Sequence, residues 1–309
     1  PPPWPWRPWP RTWPWTGRAV PSVATGRGAP VPTGRDASAA RAGADISPDT
    51  FRSLLPALYS WMGDGMIEGV ANLSEWYFEK FATDESSTEG LFEDYDHPNT
   101  RVTHMTVDHE LPMTFWRSVG HSYTAFAKES MIDEMAEAAG MDEVAFRLQN
   151  TQNTPRLNNV IQVAGEHMAK MNPPEGHHLG FAAHNSFLTD VAEIAEVSVE
   201  NGKIRVHKVT CVLDCGQAVN PDIVRAQMEG GVVYGLTAAL YGGLNLERGT
   251  IKESNFHDYP MLRMNESPEI EVIIIDSGTE PTGVGEPGLP PIAPAVANAR
   301  RRRLRPPTT

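Results

Sequence analysis

The stretch AEIAEVSVENGKIRVHKVTCVLDC, residues 192–215, constrains this chain more than any other. Two runs of alternating apolar and polar residues flank Asn201-Gly202. That dipeptide accepts the left-handed backbone a two-residue hairpin turn requires, so the segment predicts two antiparallel strands with one buried face. A sheet so begun needs helices or a second sheet to cover it.

Helical periods stand on both sides of the hairpin. In SYTAFAKESMIDEMAEAAG, Ile132, Met135, Ala136 and Ala139 recur at helical spacing and Gly140 stands at a C-terminal cap. MDEVAFRLQN predicts a second, shorter helix. RLNNVIQVAGEHMAK repeats the period through Leu157, Val160, Ile161, Ala164 and Met168 and stops at Pro173-Pro174. After the hairpin, NPDIVRAQMEGGVVYGLTAALYG offers Asn220 as N-cap and Pro221 in the first helical position. Gly230, Gly231 and Gly235 cost this helix roughly 1 kcal/mol each relative to Ala, which implies close approach of another backbone or a bulky ligand. GGLNLERGTIKES predicts a further hairpin and EIEVIIID a buried strand. The pattern is α+β: a mixed β-sheet with flanking helices. A short helix interrupted by Pro56 is predicted in SPDTFRSLLPALYSWM, and the stretch from there to about Glu110 is loop-rich.

The ends differ from this middle. Residues 1–34 carry ten prolines, and five of the eight tryptophans fall in the first fifteen positions. Such a segment has no helical or strand period. From Arg300 the chain reads RRRRLRPPTT. Three segments are therefore expected: a Pro/Trp/Arg-rich non-globular stretch over 1–45, a folded domain over 46–299 and a basic tail over 300–309. The ends read either as a recognition arm and a basic tail or as sequence foreign to the folded domain, and composition favours the second. The formal charge is −13, and the middle alone holds 15 basic against 37 acidic side chains. That argues against a nucleic-acid binder, which needs a basic face. No apolar run approaches the ~18 residues of a membrane span. Two cysteines, Cys211 and Cys215, are too few for a disulfide framework or a four-thiolate cluster, and read as small buried thiols.

Gly283-x-Gly285-x-x-Gly288, in GVGEPG, follows a strand as a dinucleotide-binding loop would. Pro287, Pro290, Pro291 and Pro294 forbid an immediate helix, and no Asp or Glu follows in the remaining 21 residues. The stretch instead offers a lone carboxylate, Glu286, among Gly, Pro, Val and Leu. It reads either as an exposed turn residue or as a buried carboxylate whose raised pKa suits proton transfer near neutrality. His177, His178 and His184, in and beside a Pro/Gly loop, lack partners at metal-ligand spacing and read as loop residues. Gln227, on the glycine-bearing helix, is an orienting amide. Arg117, beside Gly120 at the start of a helix, suits an anion, or else an ordinary surface ion pair.

Taken together, TFWRSVGHSYTAFAKESMIDEMAEAAGMDEVAFRLQN, VLDCGQAVNPDIVRAQMEGGVVYGLTAALYG, SNFHDYPMLRMNESPEIEV and GVGEPGLPPIAPAVANA resemble the molybdenum-binding large subunit of the xanthine oxidase family, of the isoquinoline 1-oxidoreductase beta-subunit type. The resemblance is clear from about Met113 to Ala299, extends more weakly from about Ile46, and is absent at both ends. It implies an oxidoreductase that hydroxylates an aldehyde or nitrogen-heterocycle carbon with water as oxygen source, at molybdenum held by molybdopterin, in the cytosine dinucleotide form. Its catalytic base lies in a Gly-Glu-Pro turn, matched here by Glu286, with Gly283 and Gly285 letting the backbone pass close to the cofactor. Arg117, Gly120, His121, Gln227, Gly230 and Gly231 match its cofactor-side positions, and no side chain is expected to bind the metal. [2Fe–2S] clusters would reside on a small iron–sulfur partner subunit. The chain is expected to be a C-terminal piece of a longer subunit; the rival reading is a non-catalytic fragment that keeps the fold and a partner-binding surface.

Overall fold

A computed structural model describes residues 88–91, 94–103 and 116–303. The helix expected around Pro56 and the boundary expected near residue 45 lie outside the described residues. Within them the order of elements is α1 (His121–Ala138), α2 (Glu143–Gln149), α3 (Pro155–Met168), β1 (His178–Ser186), β2 (Thr189–Glu200), β3 (Lys203–Asp214), α4 (Pro221–Tyr241), β4 (Leu246–Glu247), β5 (Thr250–Ile251), β6 (Glu269–Ile275) and α5 (Ile292–Arg303).

The Asn201-Gly202 turn closes β2 on β3 with φ of 51° and 79°, and Glu200 faces Lys203 across it. The main sheet runs β1-β2-β3-β6. Its first three strands are antiparallel, and β6 lies parallel to β3. The sheet is therefore mixed, as the sequence implies. β6 takes an edge, which leaves its EIEVIII residues only half-buried rather than fully enclosed. β1 begins at His178, inside what reads as a loop. Its run GFAAH is buried throughout, so it lacks the alternation that marks a one-sided strand.

Helices cover both faces. Leu157, Val160, Ile161 and Ala164 of α3 pack on Phe181, Ala183, Ala192, Ile194 and Val212. On the other face, Val232 and Leu236 of α4 and Ile292, Ala295 and Val296 of α5 meet Ala195, Val197, Val206 and Val209. At Gly180 of β1 an added Cβ would stand 2.1 Å from the Ala295 carbonyl oxygen, so α5 lies directly on the strand backbone. Caps agree with the sequence: Asn220 Oδ1 accepts from the N–H groups of Asp222 and Ile223, and Asp142 caps α2 in the same way.

α5 starts four residues beyond Gly288, carries Pro294 in its first turn, where no backbone donor is needed, and runs on to Arg303. The stretch expected as a basic tail thus opens as helix. Arg301 pairs with Glu134 at 3.0 Å and Glu137 at 2.5 Å, and Arg302 pairs with Glu143.

One polar network crosses the interior. Arg147 is fully buried, with Nε 3.0 Å from Glu129 Oε2 and Nη1 3.6 Å from Asp133. Glu129 also accepts from the Tyr95 hydroxyl at 2.8 Å and from the Ala183 N–H at 2.9 Å. α1, α2 and β1 are joined through one carboxylate.

Candidate functional site

Three elements converge on GVGEPG. The first is the turn before α1. Ser118 and Val119 hold φ of 73° and 47°, a left-handed conformation unfavourable for residues with a Cβ and persistent only where the surroundings impose it. That geometry aims the buried Ser118 at Glu286. Its N–H donates to Oε2 at 2.6 Å, and its hydroxyl donates to the Glu286 carbonyl at 2.8 Å. Among the described residues Glu286 Oε1 has no hydrogen-bond partner. The polar-poor setting expected for this carboxylate is thus incomplete, because a backbone donor reaches it.

Arg117 supplies the next contact. Its Nε donates to the Gly285 carbonyl at 2.8 Å, its Nη2 also reaches that oxygen, and Nη2 donates to Gln227 Oε1 at 3.2 Å and to the Gln227 carbonyl at 3.3 Å. Arg117 makes no ion pair with a described residue; its partners are a carbonyl of the loop and a glutamine of α4. The guanidinium stands 6.0 Å from the Tyr234 ring centre, and Trp116 packs on that ring at 4.9 Å.

The second element is α4. An added Cβ on Gly231 would meet the Gly288 carbonyl carbon at 2.9 Å, and one on Gly235 would meet Ile292. Both glycines answer to protein packing, and Gly231 is buried beneath the loop. Gly230 differs: it is exposed, and a Cβ there would meet only Arg117 Nη1, at 3.8 Å. Gly285 is also exposed, with open space where its Cβ would be.

The third element is the β1–β2 turn. Thr189 Oγ1 donates to the Gly283 carbonyl at 2.7 Å, and the Gly283 N–H donates to the Phe187 carbonyl at 3.3 Å. Phe187 and Leu188 are themselves left-handed, at φ of 54° and 65°. Behind the loop Thr282 N–H binds the Cys215 carbonyl at 2.9 Å. Cys211 and Cys215 are free and buried.

The structure therefore brings Glu286, Arg117, Gln227, Gly230, Gly283 and Gly285 into one region, with Gly120 and His121 at the head of α1 beside it. His121 turns the other way, toward a buried histidine: its Nδ1 stands 2.9 Å from Nε2 of His184. His184, read from sequence as a loop residue, is 1 % exposed within β1. Ser118 and Thr189 escaped the sequence, and His184 was misplaced in it, because their roles come from left-handed turns and strand burial, which no local pattern marks. Among the described residues no group of three His, Cys, Asp or Glu side chains could hold a metal ion.

Gly230 and Gly285 are both exposed, and a Cβ on Gly230 would stand 3.8 Å from Arg117 Nη1 while one on Gly285 would meet nothing within 4 Å. A cationic edge, an amide behind it and bare backbone on two sides suit a polar, anion-bearing organic ligand.

The sequence profile of the molybdopterin cofactor-binding domain matches residues 114–268, and a second profile of that description matches 76–151. The chain belongs to the molybdopterin cofactor-binding domain family. It is 34% identical over 240 residues to the beta subunit of isoquinoline 1-oxidoreductase from Brevundimonas diminuta, covering 75% of this chain and 31% of that protein. It is 32% identical over 226 residues to a subunit of nicotinate dehydrogenase from Pseudomonas putida, covering 66% and 19%. The chain thus spans less than a third of the length of either relative. The crystal structure of quinoline 2-oxidoreductase from Pseudomonas putida 86 shares the fold, with a TM-score of 0.56 at 12% identity over 62% of this chain and 50% of that one.

Proposed function

We propose that this chain forms part of the catalytic subunit of a molybdopterin-dependent oxidoreductase that hydroxylates an aldehyde or nitrogen-heterocycle carbon, with water as oxygen source and Glu286 as general base. The reading rests on one observation above the others: Ser118 and Arg117 together fix both the carboxylate and the backbone of the Gly285-Glu286-Pro287 turn.

When bound, the cofactor would supply Lewis acidity and accept the electron pair. The chain's own residues do the rest. Ser118 N–H occupies Oε2 of Glu286, which leaves Oε1 to take the proton from the attacking oxygen. Arg117 Nη1, with Gln227 behind the guanidinium, would hold the ligand's polar edge at Gly230 and Gly285. The buried prolines after Glu286 stiffen the bend, so that little reorganisation is needed when the proton moves. The cytosine dinucleotide form of the cofactor, and a small partner subunit carrying [2Fe–2S] clusters to receive the electrons, complete the proposal; two buried cysteines cannot supply the thiolates.

Metal analysis of the purified 309-residue chain tests it. Molybdenum near one equivalent per chain supports the reading. A cooperative melt with no molybdenum supports instead a fragment that keeps the fold without the cofactor.

A further inference from the structure

Behind His121 runs a dry chain of ionisable groups that the proposed chemistry does not use. His121 Nδ1 is 2.9 Å from His184 Nε2, and His184 Nδ1 is 3.3 Å from Asp94 Oδ2. Asp94 and His184 are 2 % and 1 % exposed. Lys128 closes the far end, pairing with Asp94 and donating to the Gly90 carbonyl at 2.6 Å. Gly90, at φ 77°, lies against the histidine pair: a Cβ there would stand 2.7 Å from His121 Nδ1 and 2.8 Å from His184 Nε2.

Each proton position follows from its neighbour. Burial alone would raise the pKa of Asp94, but Lys128 and His184 overcome it and hold the carboxyl well below its usual range, so Asp94 is an acceptor only. His184 Nδ1 stands 3.3 Å from that carboxylate, off a hydrogen-bonding line and with no other partner, and must carry the proton, because a lone pair facing a carboxylate in a dry interior would be repelled. Burial and Lys128 lower the pKa of His184, so its ring is neutral and Nε2 is bare. The bare nitrogen accepts, and His121 must donate from Nδ1. Burial and then His184 pull the pKa of His121 down to about 4, so it carries that single proton at neutral pH. Its Nε2, on the opposite edge of a half-exposed ring, is bonded by no described residue. The ring lies 5.5 Å from that of Phe187, whose carbonyl holds Gly283.

We propose that Asp94 and His184 are positioning residues that lock His121 as its Nδ1–H tautomer, so that Nε2 is kept as a hydrogen-bond acceptor for an N–H or O–H donor of the ligand. That the ligand is a pterin or a nitrogen heterocycle rests on the function proposed above; the lock itself does not.

The test is the tautomeric state of His121 in the full 309-residue chain labelled with ¹⁵N-histidine, read from long-range ¹H–¹⁵N correlations at pH 7 and assigned with His121→Phe. The expected spectrum shows a protonated Nδ1 and a pyridine-like Nε2 for His121. Asp94→Asn offers His184 a donor as well as an acceptor and is expected to shift His121 toward the Nε2–H form. Gly90→Ala wedges the rings apart and is expected to leave His121 averaging between tautomers. An Nε2–H or doubly protonated His121 in the unmutated chain overturns the proposal, as does a His121 tautomer unchanged in both variants. If Asp94→Asn does not fold, the unmutated spectrum and Gly90→Ala decide. None of these readouts needs bound cofactor, so a chain free of molybdenum weakens the proposed function and leaves this test intact.

Discussion

The backbone N–H of Ser118 donates to the carboxylate of Glu286 at 2.6 Å, across 168 positions of sequence. The contact joins the left-handed turn before α1 to the bend before α5. If Glu286 is the base, Glu286→Gln in the cofactor-loaded enzyme keeps its shape and that contact but cannot take a proton. Turnover is expected to fall about 10²–10⁴-fold with molybdenum content unchanged, checked by steady-state rates beside metal analysis. An unchanged rate refutes the role.

Two adjacent glycines of α4 should respond in opposite directions to the same methyl group. Gly231→Ala drives a Cβ into the Gly288 carbonyl carbon at 2.9 Å and is expected to destabilise by about 1–3 kcal/mol. Gly230→Ala meets only Arg117 Nη1 at 3.8 Å and is expected to gain up to about 1 kcal/mol of helix propensity. Urea denaturation of both variants checks the pair, and loss of ligand binding in Gly230→Ala alone would place the ligand against Gly230.

Arg147→Met leaves Glu129 facing Tyr95 and the Ala183 N–H without its buried cation. Breaking one side of such a pair costs about 3–5 kcal/mol, expected as a lowered denaturation midpoint at unchanged slope.

Asp190 gives a pH dependence. Burial raises its carboxyl to about 6, against opposing contributions from Asn185 and Arg156. The folded state therefore binds this proton more tightly than the unfolded chain. The stabilisation it brings is full below the ordinary carboxylate range and lost as pH rises through about 6. Between pH 5 and 7 the unmutated chain should lose about 1 kcal/mol relative to Asp190→Asn. Parallel urea titrations at the two pH values check this, and equal losses in both proteins would contradict it.

Local chemistry was legible in the sequence. Asn201-Gly202 closes the hairpin, Asn220 caps α4, and the glycine-bearing helix does meet another backbone, because each feature is written within a few residues. Glu286, Arg117 and Gln227 could be singled out individually and through the resemblance. Their convergence depends on contacts more than a hundred positions apart. Ser118 gave no sign, since any residue type can be forced left-handed by its surroundings. His184 was misplaced because a strand enclosed on both faces has no period of two. The last turn of α5 was missed because a run of arginines resembles a tail until its acidic counterparts on α1 and α2 are known.

Those arginines have a consequence for the bend at the opposite end of α5. α1 and α5 lie side by side, joined near their beginnings through Ser118 and Glu286 and near their ends by Arg301 with Glu134 and Glu137. The two helices thus form the arms of a calliper, held by a charged clasp at one end and by the Ser118–Glu286 contact at the other. Weakening the clasp with salt, or by reversing the charge of Arg301, should loosen the tip at the far end of the helix. A defect that looked catalytic in an assay would then have its origin in surface charge.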